Sequence, residues 1–444
     1  MLPVDLPDTV RDALLAPLVD HHCHGVRRDD LTRAQFELLI HEGGSAAPPG
    51  TTHFDTPFGL AIRRWCAPLL DLEPHAPPAV YLARRAELGA AEVNRRLLAA
   101  AGVVAFLVDT APTDLSAGGL SAGGLSTGGL STGGLSAGDV SAGDVSAEGL
   151  SEGSVRAGDA ELLSAAEMGR HGGAAADELV RIEHIERDVA MSAQIAVDYL
   201  DSFGEELAAR AAKAVGLKTV MAALCGLDFD PARPSRGSVI AAANRRLADP
   251  KEPLTDPILL RHLLWCAIDV ARDRGLPVQF HTGFGGTWGL GGAPGAGGPG
   301  LEGVSGAGLH RTDPARLSRF VAGLQPAGVP VILLHCYPFH RQAAYLAGRY
   351  PHVYVDVGLA LPHTAAASAG VMDELLELAP FHKQLFSSGC RGVAESCLLG
   401  ASYYRQAMGA ALAARVGAGE WSAADAARIA HMIGSGNARR IYRL

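Results

Sequence analysis

Eight short apolar, β-branched runs alternate with amphipathic stretches along most of this 444-residue chain, and that rhythm restricts the fold more than any other property. The runs are 18–24 (LVDHHCH), 103–110 (VVAFLVDT), 180–185 (VRIEHI), 215–222 (VGLKTVMA), 277–284 (PVQFHTGF), 329–338 (VPVILLHCYP), 353–360 (VYVDVGLA) and 384–390 (QLFSSGC). Unbroken apolar runs of this kind suit parallel strands buried on both faces. Helical spacing fills the intervals, as in Ile185 to Ala214, Ile258 to Arg274 and Val371 to Leu378, with Gly or Pro marking many ends. The alternation predicts a single α/β domain over 1–444, a (β/α)8 TIM-type barrel ahead of a doubly wound sheet. The polar residue of most runs lies toward the C-terminal end, where such a barrel builds its site.

Two stretches break the rhythm. Residues 26–101 carry several helical segments, including Gly59 to Leu70 and Pro78 to Leu98, and predict a helical lid inserted after strand one. Residues 115–159 repeat the five-residue unit [L/V]-S-x-G-x after strand two. A small β-solenoid is one reading of that period. One aliphatic per unit buries too little to offset backbone ordering, which favours a flexible low-complexity insertion. A second Gly-rich patch, Gly283 to Gly308, is expected to behave likewise after strand five, and it lacks the GxxxxGK[ST] pattern of a phosphate loop.

Charge and composition narrow the partners. A formal net charge of −9 argues against nucleic acid and anionic membrane surfaces. No apolar run is long enough to span a bilayer, and the opening Met1-Leu2-Pro3-Val4-Asp5 lacks the sections of a secretory signal. The seven cysteines (23, 66, 225, 266, 336, 390 and 397) form no CxxC pair and suit reduced thiols, so a cytoplasmic enzyme with a small-molecule substrate is expected.

The site residues sit at strand ends. On strand one, alternation puts His22 and His24 on one face with Cys23 turned away, and two neutral imidazoles on one face form a bidentate grip for a divalent metal. Strand five adds His281, strand six His335, strand four Lys218 and strand seven Asp356. Each histidine taken alone is more often a satisfied structural residue than a ligand. Four at the ends of three strands point to a metal ion, zinc or manganese, with an open position for water. Such an ion activates water and polarises a carbonyl, the two requirements for hydrolysing an amide-type C–N bond. Arg64, or its neighbour Arg63, and Arg341 are expected to bind a small polar substrate.

Asp20-x-His22-x-His24 and the later strand-end histidines resemble the amidohydrolase superfamily, most closely the amidohydrolase-2 type found alone or fused to glutamine-synthetase-like domains. Further matching stretches are Arg64 to Leu70 (RWCAPLL), Gly226 to Asp230 (GLDFD), Leu334 to Pro338 (LHCYP), Tyr354 to Gly358 (YVDVG) and Gly436 to Arg440 (GNARR). The resemblance implies that His22, His24 and His281 hold the metal and that His335 binds a second ion or the substrate. It also implies that Lys218 stands where some members carry a carbamylated lysine. Relatives end strand eight in Ser-Ser-Asp, the aspartate serving as metal ligand and general base; here the sequence is Ser387-Ser388-Gly389. Leu224 stands where relatives tend to have an arginine. Three explanations stay open: a Cys390 thiolate replaces the carboxylate, Asp356 or Glu395 takes over as base, or catalysis is lost and the barrel binds a metabolite or partner. Decarboxylation on the same metal site is a further alternative.

Overall fold

The computed structural model describes residues 2–3, 5–42, 46–110, 162–285 and 309–444. The repeat array at 115–159 and most of the second Gly-rich patch lie outside the described residues. Seven strands form one parallel sheet in chain order: β1 (Leu18–His24), β2 (Val103–Asp109), β3 (Ala175–Arg181), β4 (Gly216–Thr219), β5 (Val278–His281), β6 (Val331–Leu334) and β7 (Val353–Val355). Each pairs with the next in parallel register, with helices in the connections. The architecture is α/β and consistent with a TIM-type barrel.

The predicted eighth strand is not a regular strand. Its residues instead bridge the two edges of the sheet: Leu385 N–H bonds to Val355 O at 3.0 Å, while His21 N–H bonds to Phe386 O at 3.2 Å and His24 N–H to Cys390 O at 2.7 Å. Gly389 adopts φ +60°, a left-handed conformation that an extended ladder cannot hold, so pairing here runs through single bonds.

Strand three begins earlier than the sequence suggests. Residues 175–178 are only partly buried and show no apolar run, whereas Ile182, Ile185, Val189 and Ala190 form the inward stripe of the helix Ile182–Ser192. That stripe is what 180–185 registers as a strand. The pattern there has a helical period.

An inner apolar layer of Val19, Ala105, Leu107, Leu179, Ile332, Leu334 and Leu385 packs on Ala438, Ile441 and Tyr442, so the C-terminal helix Asn437–Tyr442 closes one end. The larger apolar cluster lies between sheet and helices. Pro257–Arg274 shows how local chemistry sets such a helix: Asp256 caps Ile258 and Leu259 N–H, Pro257 opens it, and Gly275 ends it at φ +68°.

Within 26–101 the helices are Arg33–Leu39, Pro57–Ala61, Pro78–Leu88 and Ala90–Ala100, with a π-helical and a 3-10 turn at 62–70. Ala90–Ala100 packs on Ala165–Gly172 and Ala394–Gly417, helices of the outer layer. Arg85 and Tyr81 bind Glu395 Oε1, each at 2.9 Å, tying Pro78–Leu88 to Ala394–Gly417.

Candidate functional site

The pairing of β1 with β2 slips between Asp20 and Cys23, so β1 carries one extra residue there. Consecutive residues His21 and His22 therefore both reach inner groups, while Cys23 Sγ lies on Leu107 O at 3.7 Å. His22 Nε2 and His24 Nε2 converge on one atom, Lys218 Nζ from β4, at 3.0 and 3.2 Å. Asp109 Oδ2, from the end of β2, is the third neighbour of that ammonium at 3.0 Å. The same oxygen accepts from Arg181 of β3 at 2.7 and 3.0 Å. His22 is fully buried and Lys218 is 1% exposed, so these bonds form out of solvent.

His335 extends the group. Its ring centroid lies 5.4 Å from that of His22 and 4.9 Å from that of His281, whose Nε2 is 3.2 Å from Phe284 O. His335 and Cys336 take φ +68° and +52° in succession, a conformation that costs about 1–3 kcal/mol per non-glycine residue. Asp356 holds the turn: Oδ1 accepts from His335 N–H at 2.7 Å and Gly358 N–H at 3.1 Å. Its Oδ2 accepts from Ser387 Oγ at 3.0 Å and pairs with His21 Nε2 at 2.7 Å. Both Asp356 oxygens are thus engaged as anchors, contrary to the role of free base. Below them, the Tyr442 hydroxyl lies 3.0 Å from His21 Nδ1 and accepts from Gln279 at 2.7 Å.

Burial holds the His22, His24 and His281 imidazoles well below the ordinary histidine range, and the Lys218 ammonium reinforces this at His22 and His24. Burial likewise brings His335 down to about 4 and Lys218 down to about 8, with Asp109 resisting the shift at the lysine. Burial works against the Asp109 carboxylate, but Arg181 and Lys218 beside it hold it well below the usual range. The imidazoles therefore stay neutral beside a cation, with lone pairs available. His22 Nδ1 and His335 Nδ1 are buried with no hydrogen-bond partner among the described residues.

The eighth segment supplies no carboxylate. A Cβ on Gly389 would lie 2.8 Å from Leu359 Cβ and 3.0 Å from its Cα, so the backbone of the neighbouring loop fills the space. Cys390 is fully buried with Sγ on Val393 O at 3.6 Å, and Glu395 is committed to Tyr81 and Arg85. Among the described residues neither side chain bonds to one of the imidazoles. Ser388 instead ties Asp20 to the segment, donating from N–H at 2.9 Å and from Oγ at 2.5 Å.

The substrate arginines expected from the sequence stand elsewhere. Arg64 is exposed and stacks on Trp65 at 4.8 Å, Arg63 binds the carbonyls of His75 and Ala76, and Arg341 is exposed and paired with Glu377 at 2.7 Å. Sequence reasoning missed Asp109 and Arg181, although each is the polar end of its strand. It also missed Arg391, which lies in the electrostatic field shared by His24, His363, Glu42 and Arg181. Glu183 is a further surprise. One oxygen accepts from Thr219 and from Val220 N–H, and the other is buried with no partner.

As the side chains stand, no three His, Cys, Asp or Glu groups among the described residues are placed to hold a metal ion. The point where two imidazoles and a carboxylate meet is filled by the lysine ammonium. Their chemistry nevertheless suits a divalent cation, because neutral nitrogens and an anionic oxygen already surround a positive charge.

A family model described as amidohydrolase matches residues 138–444. Protein fluG of Emericella nidulans is 27% identical over 241 residues, 52% of this chain and 26% of that protein, so the chain spans about a quarter of that relative's length. A structure from Lactobacillus casei, described provisionally as a metal-dependent hydrolase, superposes with TM-score 0.71 at 19% identity, covering 99% of this chain and 98% of that one. A uronate isomerase of Bacillus halodurans gives 0.57 at 11% identity, covering 98% and 96%. At these identities the structural likenesses show the fold.

Proposed function

The chain belongs to the amidohydrolase family, and from that premise we propose that it is a metal-dependent hydrolase of an amide-type C–N bond in a small polar substrate. The observation that carries this reading is the convergence of His22 Nε2 and His24 Nε2, with Asp109 Oδ2, on one cation position. His22, His24 and His281 are the proposed holders of a divalent ion, zinc or manganese, with Asp109 beside them. When bound, such an ion supplies Lewis acidity to the scissile carbonyl and to an attacking water.

The chain's own groups do the rest. His335 is neutral, buried and held in a strained turn by Asp356, and its Nδ1, without a hydrogen bond and 3.7 Å from Asp356 Oδ1, is the proton-handling atom of the cluster. Arg181 and Arg391 replace Arg64 and Arg341 as the cations that orient a polar substrate. The segment 53–61 serves as the lid, since Phe58 stacks on His363 at 4.5 Å and His363 meets Phe284 at 5.2 Å, close in sequence to His281. Among the described residues no helix is long and apolar enough to cross a membrane. With seven free thiols the proposed setting is reducing and cytoplasmic.

A panel of N-acyl amino acids and simple amides, incubated with ion-loaded protein, tests this reading. Turnover that falls about 10²–10⁴-fold in His335→Asn is the expected result. A second reading rests on Gly389, which removes the expected base. A chain that binds the ion yet turns over nothing on the panel is a binding protein.

A further inference from the structure

We propose that Lys218 is a tethered cation occupying the metal seat, so that a divalent ion enters only by displacing the lysine amine. The inference rests on the metal-site reading above and adds a competitor built into the chain. An ammonium has three N–H donors. Here three acceptors stand around it at 3.0, 3.2 and 3.0 Å: His22 Nε2, His24 Nε2 and Asp109 Oδ2. The donor and acceptor numbers match, and the lysine is 1% exposed.

The surroundings identify this as a built seat. With Nε2 of His22 accepting from lysine, its Nδ1 carries the proton and finds no acceptor, a buried cost that only the grip on the cation offsets. Asp109 is stabilised independently by two bonds from Arg181. Its charge therefore persists when the amine leaves. The seat can pass from one cation to another without stranding its carboxylate, and the chain holds its site in shape before any ion arrives.

Calorimetric titration of zinc and of manganese into the wild-type chain and Lys218→Met, at one fixed pH, tests the inference. Methionine keeps an unbranched stem out to the ε carbon and drops the charged amine. The variant is expected to bind the ion about tenfold or more tightly, the equivalent of losing one charge-assisted hydrogen bond to the competitor. Equal or weaker binding by a variant that melts like the wild type overturns the inference alone, because the lysine then serves the ion or ignores it. If neither chain binds, the metal-site reading falls with it.

Amine labelling of the unaltered chain gives a second arm should Lys218→Met fold poorly. The four lysines are 213, 218, 251 and 383. Acetylation at Lys218 is expected to rise when zinc is added while that at Lys213 and Lys251 stays constant. Unchanged or falling modification at Lys218, in a chain that has bound the ion, contradicts displacement of the amine.

Discussion

Asp109 answers the buried Lys218 and the half-buried Arg181 with one carboxylate oxygen, so the charge balance of the network rests on it. Asp109→Asn leaves Arg181 and Lys218 facing each other without a counter-charge, and breaking a buried pair in this way costs roughly 3–5 kcal/mol. A urea midpoint within error of the wild type would show the cations relax into solvent instead. An aspartate at position 389, as the family resemblance implies, meets φ +60° and the Leu359 backbone, so Gly389→Asp is expected to lose about 2–4 kcal/mol and gain no activity. New turnover in a stably folded Gly389→Asp chain counts against that packing argument. His22, His24, Lys218 and His335 were legible as strand-end polar residues. Asp109 and Arg181 end their strands in the same way, but an acidic or basic residue there reads equally as a solvated strand end until its partners are seen.

At the scale of elements, six of the seven strands coincide with apolar runs in the sequence, because burial on both faces leaves an unbroken signal. The third was misplaced for the converse reason, its first half being half-exposed and the adjacent helix rich in isoleucine. The bulge in β1 was invisible, since nothing in LVDHHCH marks an extra residue, and with it went the inward turn of His21. The eighth segment shows the same limit: Ser387 and Ser388 bond to Asp356 and Asp20, and side-chain bonds of that kind leave no periodic trace. Within 26–101 a buried latch, Arg85 and Tyr81 on Glu395, ties Pro78–Leu88 to Ala394–Gly417. Glu395→Ala strands the Arg85 guanidinium and is expected to cost about 3–5 kcal/mol, with early proteolysis between residues 71 and 89 as its local sign. Cleavage no faster than in the wild type would place the strength of that junction in the apolar contacts around Phe36 and Phe54.

Across the whole molecule, the buried imidazoles give stability a definite sign with pH. Burial holds His22, His24 and His281 well below 6.5 in the fold, His335 down to about 4 and His363 down to about 3. Between those values and 6.5 these five groups bind more protons in the unfolded chain than in the fold, so their contribution to stability rises with pH and is lost as pH falls; the Asp20 carboxyl, raised by burial to about 6, opposes them as a single group. The urea midpoint should drop steadily from pH 7 to pH 5, and His363→Phe, which keeps the stack on Phe58, should flatten the slope. A midpoint independent of pH over that range would mean the rings are solvated. The ring of alternating strands and helices was readable because it recurs throughout the chain; the site's charge balance was not, because it depends on which strand ends meet. The most direct test of the central claim is the metal content of the chain after dialysis against excess zinc or manganese. About one equivalent per chain in the wild type, falling to background in the His22→Ala/His24→Ala double variant, is the expected result. A metal-free wild-type chain, or equal metal in the double variant, contradicts the account.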